Sequence, residues 1–178
     1  MNLEMDLKTV IRDVPDFPKP GILFKDITPI LQNPAAFHTA LDGLTTLLDS
    51  LSWDSLGAVE SRGFLFGAPL CDRLKRPLVV LRKPGKLPAD TVSESYALEY
   101  GEATLEIHRD ALRPAERVVI IDDLLATGGT AAAAGRLVRR LGAVVAAYVF
   151  LVELCDLPGR EILTDAPVIS LVKYGDDS

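Results

Sequence analysis

The sequence predicts an α/β protein with a mostly parallel central sheet flanked by helices, and a small antiparallel ribbon beside it. Short strands that are apolar on both faces, such as 117–121 (RVVII), alternate with helical patterns such as 130–141. This alternation is typical of a parallel sheet that helices cover on both sides. Residues 103–108 instead alternate between apolar and polar with a period of two, which favours an antiparallel ribbon over 91–108.

The other elements can be predicted in chain order. The N-terminal segment is expected to be helical. The proline-rich stretch 15–21 is expected to be an extended loop, because proline fixes φ and lacks a backbone donor. A helix is expected to begin at Asn33 and Pro34, a good N-cap and first-turn pair. Strands are also predicted at 56–59, 77–81, 144–152 and 168–172, with a further helix at 63–76.

Length, charge and cysteine content narrow the class of protein. The 178 residues suffice for one domain with a sizeable core. A net charge of −6 argues against nucleic acid as a partner, since nucleic-acid binding needs a basic face to neutralise phosphates. The two cysteines lie far apart, and neither a signal peptide nor a membrane span is recognisable. We therefore expect a cytoplasmic protein that does not bind membranes.

The most informative segment is 118–130, in which an apolar strand leads into Asp122, Asp123 and a loop of sequence ATGGT. Ligands of open α/β sheets bind at the carboxyl ends of the strands, and a helix N-terminus favours phosphate. Gly128 and Gly129 permit positive φ and a close approach to that anion. Two carboxylates beside a phosphate loop suit a sugar phosphate, whose hydroxyls they can bind. The alternative is a turn that the aspartates merely cap.

This segment resembles the PRPP-binding signature of the type I phosphoribosyltransferases. Five further stretches are similar to the adenine-specific members of that family: 17–29 (FPKPGILFKDITP), 60–67 (ESRGFLFG), 82–88 (RKPGKLP), 95–101 (SYALEYG) and 151–154 (LVEL). The resemblance implies the type I phosphoribosyltransferase fold in a single domain, 1–178. Within it, 1–34 would form a base-binding hood and 90–108 a flexible lid ribbon. The implied reaction joins adenine to PRPP and gives AMP and diphosphate.

The resemblance also assigns roles to the residues that would meet PRPP. Asp122 and Asp123 would act in catalysis by holding the 2′- and 3′-hydroxyls of the ribose. The 5′-phosphate would lie on Ala126, Thr127, Gly128, Gly129 and Thr130. The leaving diphosphate would meet Glu60, Ser61, Arg62, Arg82, Lys83 and Lys86. In the family the turn at 60–63 often contains a non-proline cis peptide, and some of the basic charge can reach across a dimer interface.

For the base, the resemblance implies stacking on Phe24, with backbone groups of Leu23 and Lys25 reading the edge of the purine. Many relatives carry arginine where this chain has Lys25. Glu99, in the lid ribbon, would handle the proton on the imidazole ring of adenine, and the adjacent Tyr100 is counted among the substrate-binding residues. Stacking suits a flat aromatic ligand.

Mg²⁺ is the expected cofactor, bound mainly through PRPP and diphosphate oxygens rather than by a dedicated protein site. A homodimer is expected from the family likeness. Two other functions stay open. One is a phosphoribosyltransferase for another purine (xanthine, hypoxanthine or guanine), against which the stretch 17–29 argues. The other is a regulator that senses PRPP or purines on the same fold. Such proteins usually add a DNA-binding domain or a basic face, and from 178 residues and a net charge of −6 we expect neither in this chain.

Overall fold

The computed structural model describes residues 6–97 and 101–175. A 3₁₀ turn, Leu7–Thr9, precedes the first strand. The remaining elements in chain order are β1 (Arg12–Pro15), β2 (Leu23–Asp26), α1 (Thr28–Gln32), α2 (Pro34–Asp49), β3 (Ser55–Val59), α3 (Arg62–Leu74), β4 (Leu78–Leu81), β5 (Thr91–Ala97), β6 (Glu102–His108), β7 (Arg117–Leu125), α4 (Gly129–Arg140), β8 (Val144–Leu154), α5 (Gly159–Ile162) and β9 (Val168–Tyr174).

Five parallel strands form the central sheet, in the order β4-β3-β7-β8-β9. Two small antiparallel sheets, β1-β2 and β5-β6, lie outside it. The predicted fold class is confirmed, including the ribbon over 91–108. Because all five strands run the same way, their carboxyl ends meet at one edge, where such sheets bind ligands.

The middle strand, β7, shows why the sheet is apolar on both faces. Its side chains alternate between two buried clusters, since successive residues of a strand point to opposite faces. Val119 and Ile121 pack in the cluster that contains Phe66 of α3. Val118 and Ile120 pack in the other cluster, with buried residues of α4 and of the β5-β6 ribbon. Helices and ribbon therefore bury both faces of the strand, as the sequence predicts.

The start of α2 confirms the predicted helix cap. The Asn33 side chain accepts hydrogen bonds from the N–H groups of Ala35 (3.0 Å) and Ala36 (3.2 Å). These are two of the donors that a helix leaves unpaired in its first turn. The short helix α1 directly before it has no counterpart in the sequence-based prediction.

The prediction for β7 is wrong at its carboxyl end. The sequence predicts a strand over 117–121 that stops before the two aspartates, but β7 continues to Leu125. Parallel pairing with β8 holds the extension, because Asp122 is in register with Phe150 and Leu125 with Glu153. Both aspartates are consequently strand residues, whose side chains the sheet fixes.

The prediction for the proline-rich stretch is only partly right. Two strands, β1 and β2, form an antiparallel hairpin around it, with Pro15 in register with Leu23. Proline can occupy β1 because this is a two-stranded sheet, in which each strand has an unpaired edge that needs no donor. Of the predicted N-terminal helix only the 3₁₀ turn falls among the described residues, and 1–5 lie outside them. Within the described ranges, no helix has both the length and the apolar character to cross a membrane.

Candidate active site

Two adjoining cavities lie at the carboxyl edge of the central sheet. The larger, of about 630 Å³, runs between the 60–62 turn and the β5-β6 ribbon. The smaller, of about 150 Å³, lies over the loop 126–130. Four residues line both of them: Arg62, Asp122, Asp123 and Thr130. The cavities therefore form one cleft, which brings together the ATGGT loop, the aspartate pair and the 60–62 turn, as the sequence predicts.

The loop of the smaller cavity leads into α4, whose N-cap is Gly128 in the left-handed conformation (φ +79°). A Cβ on Gly128 would lie 2.6 Å from the carbonyl oxygen of Gly159. Conversely, a Cβ on Gly159 would lie 2.2 Å from the carbonyl oxygen of Ala126. The loop backbone thus packs directly on the start of α5, and only glycine fits at either contact. This arrangement presents the N-terminus of a twelve-residue helix to the cavity, which suits an anion.

The two aspartates occupy different environments. Asp123 is 4 % exposed and forms an ion pair with the Nε of Arg62. Asp122 accepts a hydrogen bond from the N–H of Asp123 (2.8 Å). Burial, and then the neighbouring Asp123 charge, raise the pKa of the Asp122 carboxyl well above its ordinary value. The pair can therefore offer one charged and one more readily protonated carboxyl to the hydroxyls of a sugar.

A close approach of α3 to β7 supports this site. A Cβ on Gly63 would lie 2.8 Å from the carbonyl oxygen of Ile121 and 3.2 Å from Oδ1 of Asp122. Glycine at this position therefore lets the start of α3 reach the carboxyl end of β7. The preceding peptide bond, between Glu60 and Ser61, is cis. The sequence left this isomer open, and it is the one that the family resemblance implies.

The basic turn after β4 is tied to the 60–62 turn. Arg82 donates to Oε1 of Glu60 (3.0 Å), and the N–H of Lys83 donates to Oε2 (2.8 Å). These two hydrogen bonds lower the pKa of the Glu60 carboxyl. Arg82 also donates to the carbonyl oxygen of Lys86 (3.0 Å), so its guanidinium holds the turn together. Lys83 lines the larger cavity, and the side chains of Lys83 and Lys86 are exposed.

The predicted base-binding residues lie beside this cleft, on β2. The Phe24 ring is 5.9 Å from the guanidinium of Arg62 and packs edge-on against Phe17, with centroids 5.1 Å apart. The Lys25 ammonium donates to Asp13 (2.6 Å) and lies 4.0 Å from the centroid of the Tyr174 ring. Its side chain is thereby occupied within the protein. The backbone of β2 pairs with β1 along one edge, and its other edge pairs with no strand among the described residues.

Glu99 and Tyr100 lie outside the described residues, so their predicted roles stay predictions. The strand that leads towards them carries a residue that the sequence analysis did not single out. The hydroxyl of Tyr96 accepts a hydrogen bond from Thr130 (3.0 Å) and lines the larger cavity. The signal was present, because a period of two along β5 turns Tyr96 to the same side as buried Val92. Gly159 was also missed, since a Pro-Gly pair after a strand indicates only a turn.

The donor set of the cleft is compatible with magnesium that is bound chiefly by substrate. Within the part of the chain that the structure describes, no group of three or more histidine, cysteine, aspartate or glutamate side chains could hold a metal ion. One or two carboxylates beside a phosphate site are what Mg²⁺ needs when substrate oxygens and water supply its other ligands. Asp122 and Asp123 meet that description.

Comparison with known proteins gives one consistent answer. Residues 28–175 match the phosphoribosyl transferase domain family. The adenine phosphoribosyltransferase of Synechococcus sp. is 54% identical over 170 residues, which are 96% of this chain and 99% of that relative. The crystal structure of the Thermoanaerobacter pseudethanolicus adenine phosphoribosyltransferase superposes with a TM-score of 0.92 at 52% identity, covering 94% of this chain and 98% of that one.

The Saccharomyces cerevisiae adenine phosphoribosyltransferase, solved with an imino-altritol bisphosphate and adenine, has a TM-score of 0.89 at 42% identity. The match covers 93% of this chain and 96% of that one. Fold, site motifs and full-length similarity therefore agree. The chain belongs to the phosphoribosyltransferase family, and within it to the adenine phosphoribosyltransferases.

Proposed function

We propose that this cleft transfers the ribose 5-phosphate of PRPP to adenine and releases AMP and diphosphate. The observation that carries the proposal is the juxtaposition of Asp122 and Asp123 with the glycine loop at the start of α4. In the reaction the C1′–O bond to diphosphate breaks, a bond from C1′ to a ring nitrogen of adenine forms, and that ring loses a proton. Positive charge grows on the ribose and negative charge on the diphosphate, and the protein must stabilise both.

In this proposal the backbone of the 126–130 loop holds the 5′-phosphate at the N-terminus of α4, with the hydroxyls of Thr127 and Thr130 as further donors. Asp122 and Asp123 accept hydrogen bonds from the 2′- and 3′-hydroxyls. The negative charge of Asp123 also favours the cationic sugar as the C1′–O bond breaks. The sugar is thus fixed at both ends before the base attacks.

The diphosphate leaves towards the 60–62 turn. Arg62 and Lys83, which line the larger cavity, carry positive charge to that side of the cleft. Mg²⁺ bound through PRPP oxygens, beside Asp122 and Asp123, would neutralise charge on the leaving group. Glu60 and Arg82 contribute indirectly, because their hydrogen bonds keep the basic turn in position.

Adenine, in this proposal, stacks on Phe24 and is read by the backbone of Leu23 and Lys25. Glu99 accepts the imidazole proton when the lid ribbon closes, which also excludes water from the sugar cation. Residues 1–34 would act as the hood over the base and 90–108 as the lid, within one phosphoribosyltransferase domain.

The proposal extends to assembly and location. A homodimer is supported by the family likeness, and sedimentation of the purified protein tests it. A role in cytoplasmic purine salvage is supported by the family likeness. Localisation of a tagged chain in its own cell tests that part.

A panel of five purine bases, each supplied with PRPP and Mg²⁺ and assayed for nucleotide, tests the function. Adenine presents an amino donor where hypoxanthine presents a carbonyl acceptor. If backbone carbonyls of 23–25 accept from that amine, hypoxanthine leaves a buried acceptor unpaired, and discrimination can reach about 10⁴-fold. Comparable kcat/KM for both bases would contradict the adenine assignment. PRPP binding without turnover would favour a sensor.

A further inference from the structure

The contact between the ribbon and the phosphate loop has a consequence for substrate binding. Tyr96 stands on β5 with its hydroxyl 3.0 Å from Oγ1 of Thr130, in the first turn of α4. Its ring also covers the loop, since a Cβ on Gly129 would lie 3.4 Å from Cδ2 of Tyr96. Tyr96 is thus a side chain through which the described part of the ribbon touches the 126–130 loop.

The base of the ribbon is anchored separately. Glu94 lies two residues before Tyr96, on the same face of β5. It accepts hydrogen bonds from Arg136 (2.5 Å) and Arg140 (3.1 Å) of α4. The neighbouring Ser95 points to the other face and bonds to Thr104 across the ribbon (2.9 Å). The Glu94 contacts hold the ribbon against α4. Removing the Tyr96 hydrogen bond should therefore change the contact with the 126–130 loop without releasing the ribbon from the helix.

Hydrogen-bond counting constrains what happens when phosphate enters the loop. A threonine hydroxyl has one proton to donate and two lone pairs. Phosphate oxygens only accept, so Thr130 must turn its proton from Tyr96 to the phosphate. The Thr130 oxygen can then stay bonded to Tyr96 only if the phenol donates in return.

We propose that Tyr96 is a positioning residue that couples phosphate binding to the ribbon through this reversed hydrogen bond. In the bound state the phenol donates to Thr130, which donates to phosphate. Such a chain is stronger than its separate bonds, because each donor is polarised by the next. Phosphate therefore steadies the ribbon, and the ribbon tightens phosphate binding by the same factor. This inference rests on the proposed 5′-phosphate site.

A double-mutant cycle tests the coupling, with ribose 5-phosphate as the probe and calorimetry as the measurement. Tyr96→Phe keeps the ring over Gly129 and removes only the hydroxyl. We expect it to weaken ribose 5-phosphate binding about three- to tenfold, the effect of one neutral hydrogen bond. In a Thr130→Ala background the same substitution should have no further effect on ribose 5-phosphate binding. In a Thr130→Ser background, which keeps the hydroxyl, Tyr96→Phe should again weaken binding.

Two further measurements separate positioning from packing. Tyr96→Phe should raise KM for PRPP and leave KM for adenine unchanged. Ribose 5-phosphate should slow hydrogen exchange in β5 of the wild-type chain and do so less in the variant. Ser95→Ala, which removes a hydrogen bond from the same strand without reaching Thr130, is the matched control and should bind ribose 5-phosphate normally.

The outcomes distinguish this inference from the function on which it rests. Equal losses from Tyr96→Phe in the wild-type and Thr130→Ala backgrounds would show that the Tyr96 hydroxyl acts independently of Thr130, and would overturn the coupling alone. Failure of the wild-type chain to bind ribose 5-phosphate would overturn the phosphate site and the coupling together. A loss confined to chains with a hydroxyl at 130 supports both.

Discussion

The cleft and the hairpin beside it, which are the proposed phosphate end and base end of the site, are built on different principles. At the phosphate end, buried β7 runs directly into the loop and α4, and the loop backbone packs against the backbone at Gly159. At the base end, the β1-β2 hairpin is a two-stranded sheet whose contacts with the rest of the chain include those of Lys25 and Tyr174. Close-packed backbone cannot move without disturbing the core, whereas side-chain contacts can adjust. The comparison predicts a rigid phosphate site and an adjustable base site.

The largest difference between the two ends is expected from a pair of glycine substitutions, one at each end. Gly128 and Gly21 both have positive φ, but a Cβ on Gly21 has no atom within 4 Å. Gly128→Val should abolish PRPP binding, because the side chain collides with Gly159 and resists the left-handed conformation. Gly21→Val should cost only backbone strain, about 1–2 kcal/mol of stability, and leave PRPP binding intact. Calorimetry on the folded variants measures both. Unchanged PRPP affinity in folded Gly128→Val would move the phosphate site elsewhere.

The second prediction separates chemistry from both binding ends. If Glu99 accepts the adenine proton, Glu99→Gln should lower kcat about a hundredfold or more, with PRPP affinity near normal. Steady-state kinetics and PRPP calorimetry together give the result. If Glu99 only helps to close the lid, KM for adenine should rise with little change in kcat.

The third prediction concerns the charged centre of the phosphate end. Asp122→Asn and Asp123→Asn should each lower kcat/KM for PRPP by about ten- to a hundredfold, the effect of losing a charge-assisted hydrogen bond to a ribose hydroxyl. Wild-type kinetics in both variants would make the pair structural.

The Asp122 substitution should also change stability in a pH-dependent way. The pKa of Asp122 is raised in the folded chain, mainly by burial, so protonation favours the folded state. Its contribution to stability is present below the ordinary carboxyl pKa and is lost as pH rises through the raised one. Asparagine mimics the protonated form. The midpoint temperature of thermal unfolding should therefore be higher for Asp122→Asn than for the wild-type chain at neutral pH. The difference between the two temperatures should shrink in acid.

The smallest expected effect is at the base end. Lys25→Ala removes the ion pair with Asp13 and the contact with Tyr174, each of which is worth about 0.5–1 kcal/mol at sites of this kind. KM for adenine should rise severalfold while PRPP affinity holds. Lys25→Arg, which keeps the charge, is the matched control. A loss of PRPP affinity in Lys25→Ala would mean that the two ends are not independent.

The same contrast explains what could be predicted from sequence. The phosphate end follows from local chemistry, because an apolar strand, two carboxylates and a glycine loop are contiguous in the chain. The base end could be assigned only through the family resemblance, since Phe24, three residues after the proline-rich stretch, carries no chemistry by itself. The β1-β2 hairpin was missed for a related reason, because its prolines favour a loop.

Contacts between distant segments were beyond the sequence. Gly159 packs against the backbone of the 126–130 loop, and Tyr96 is hydrogen-bonded to Thr130 of the same loop. Neither residue type is unusual at its position in the sequence, so the contacts of Gly159 and Tyr96 become evident only from the folded structure. The strand end at β7 was misjudged because two adjacent aspartates favour a turn, and only pairing with β8 extends the strand through them.

The tie between Glu60 and the basic turn reverses an expectation from simple charge counting. Removing a carboxylate beside an anion site should strengthen anion binding, since like charges repel. Here Glu60 accepts hydrogen bonds from Arg82 and from the N–H of Lys83, and so joins the two segments that would face the leaving group in the proposed reaction. Without the Glu60 carboxylate, the Arg82 side chain and the Lys83 backbone would no longer be held beside the cleft. A negative residue can therefore attract a negative ligand, by fixing where its positive neighbours stand.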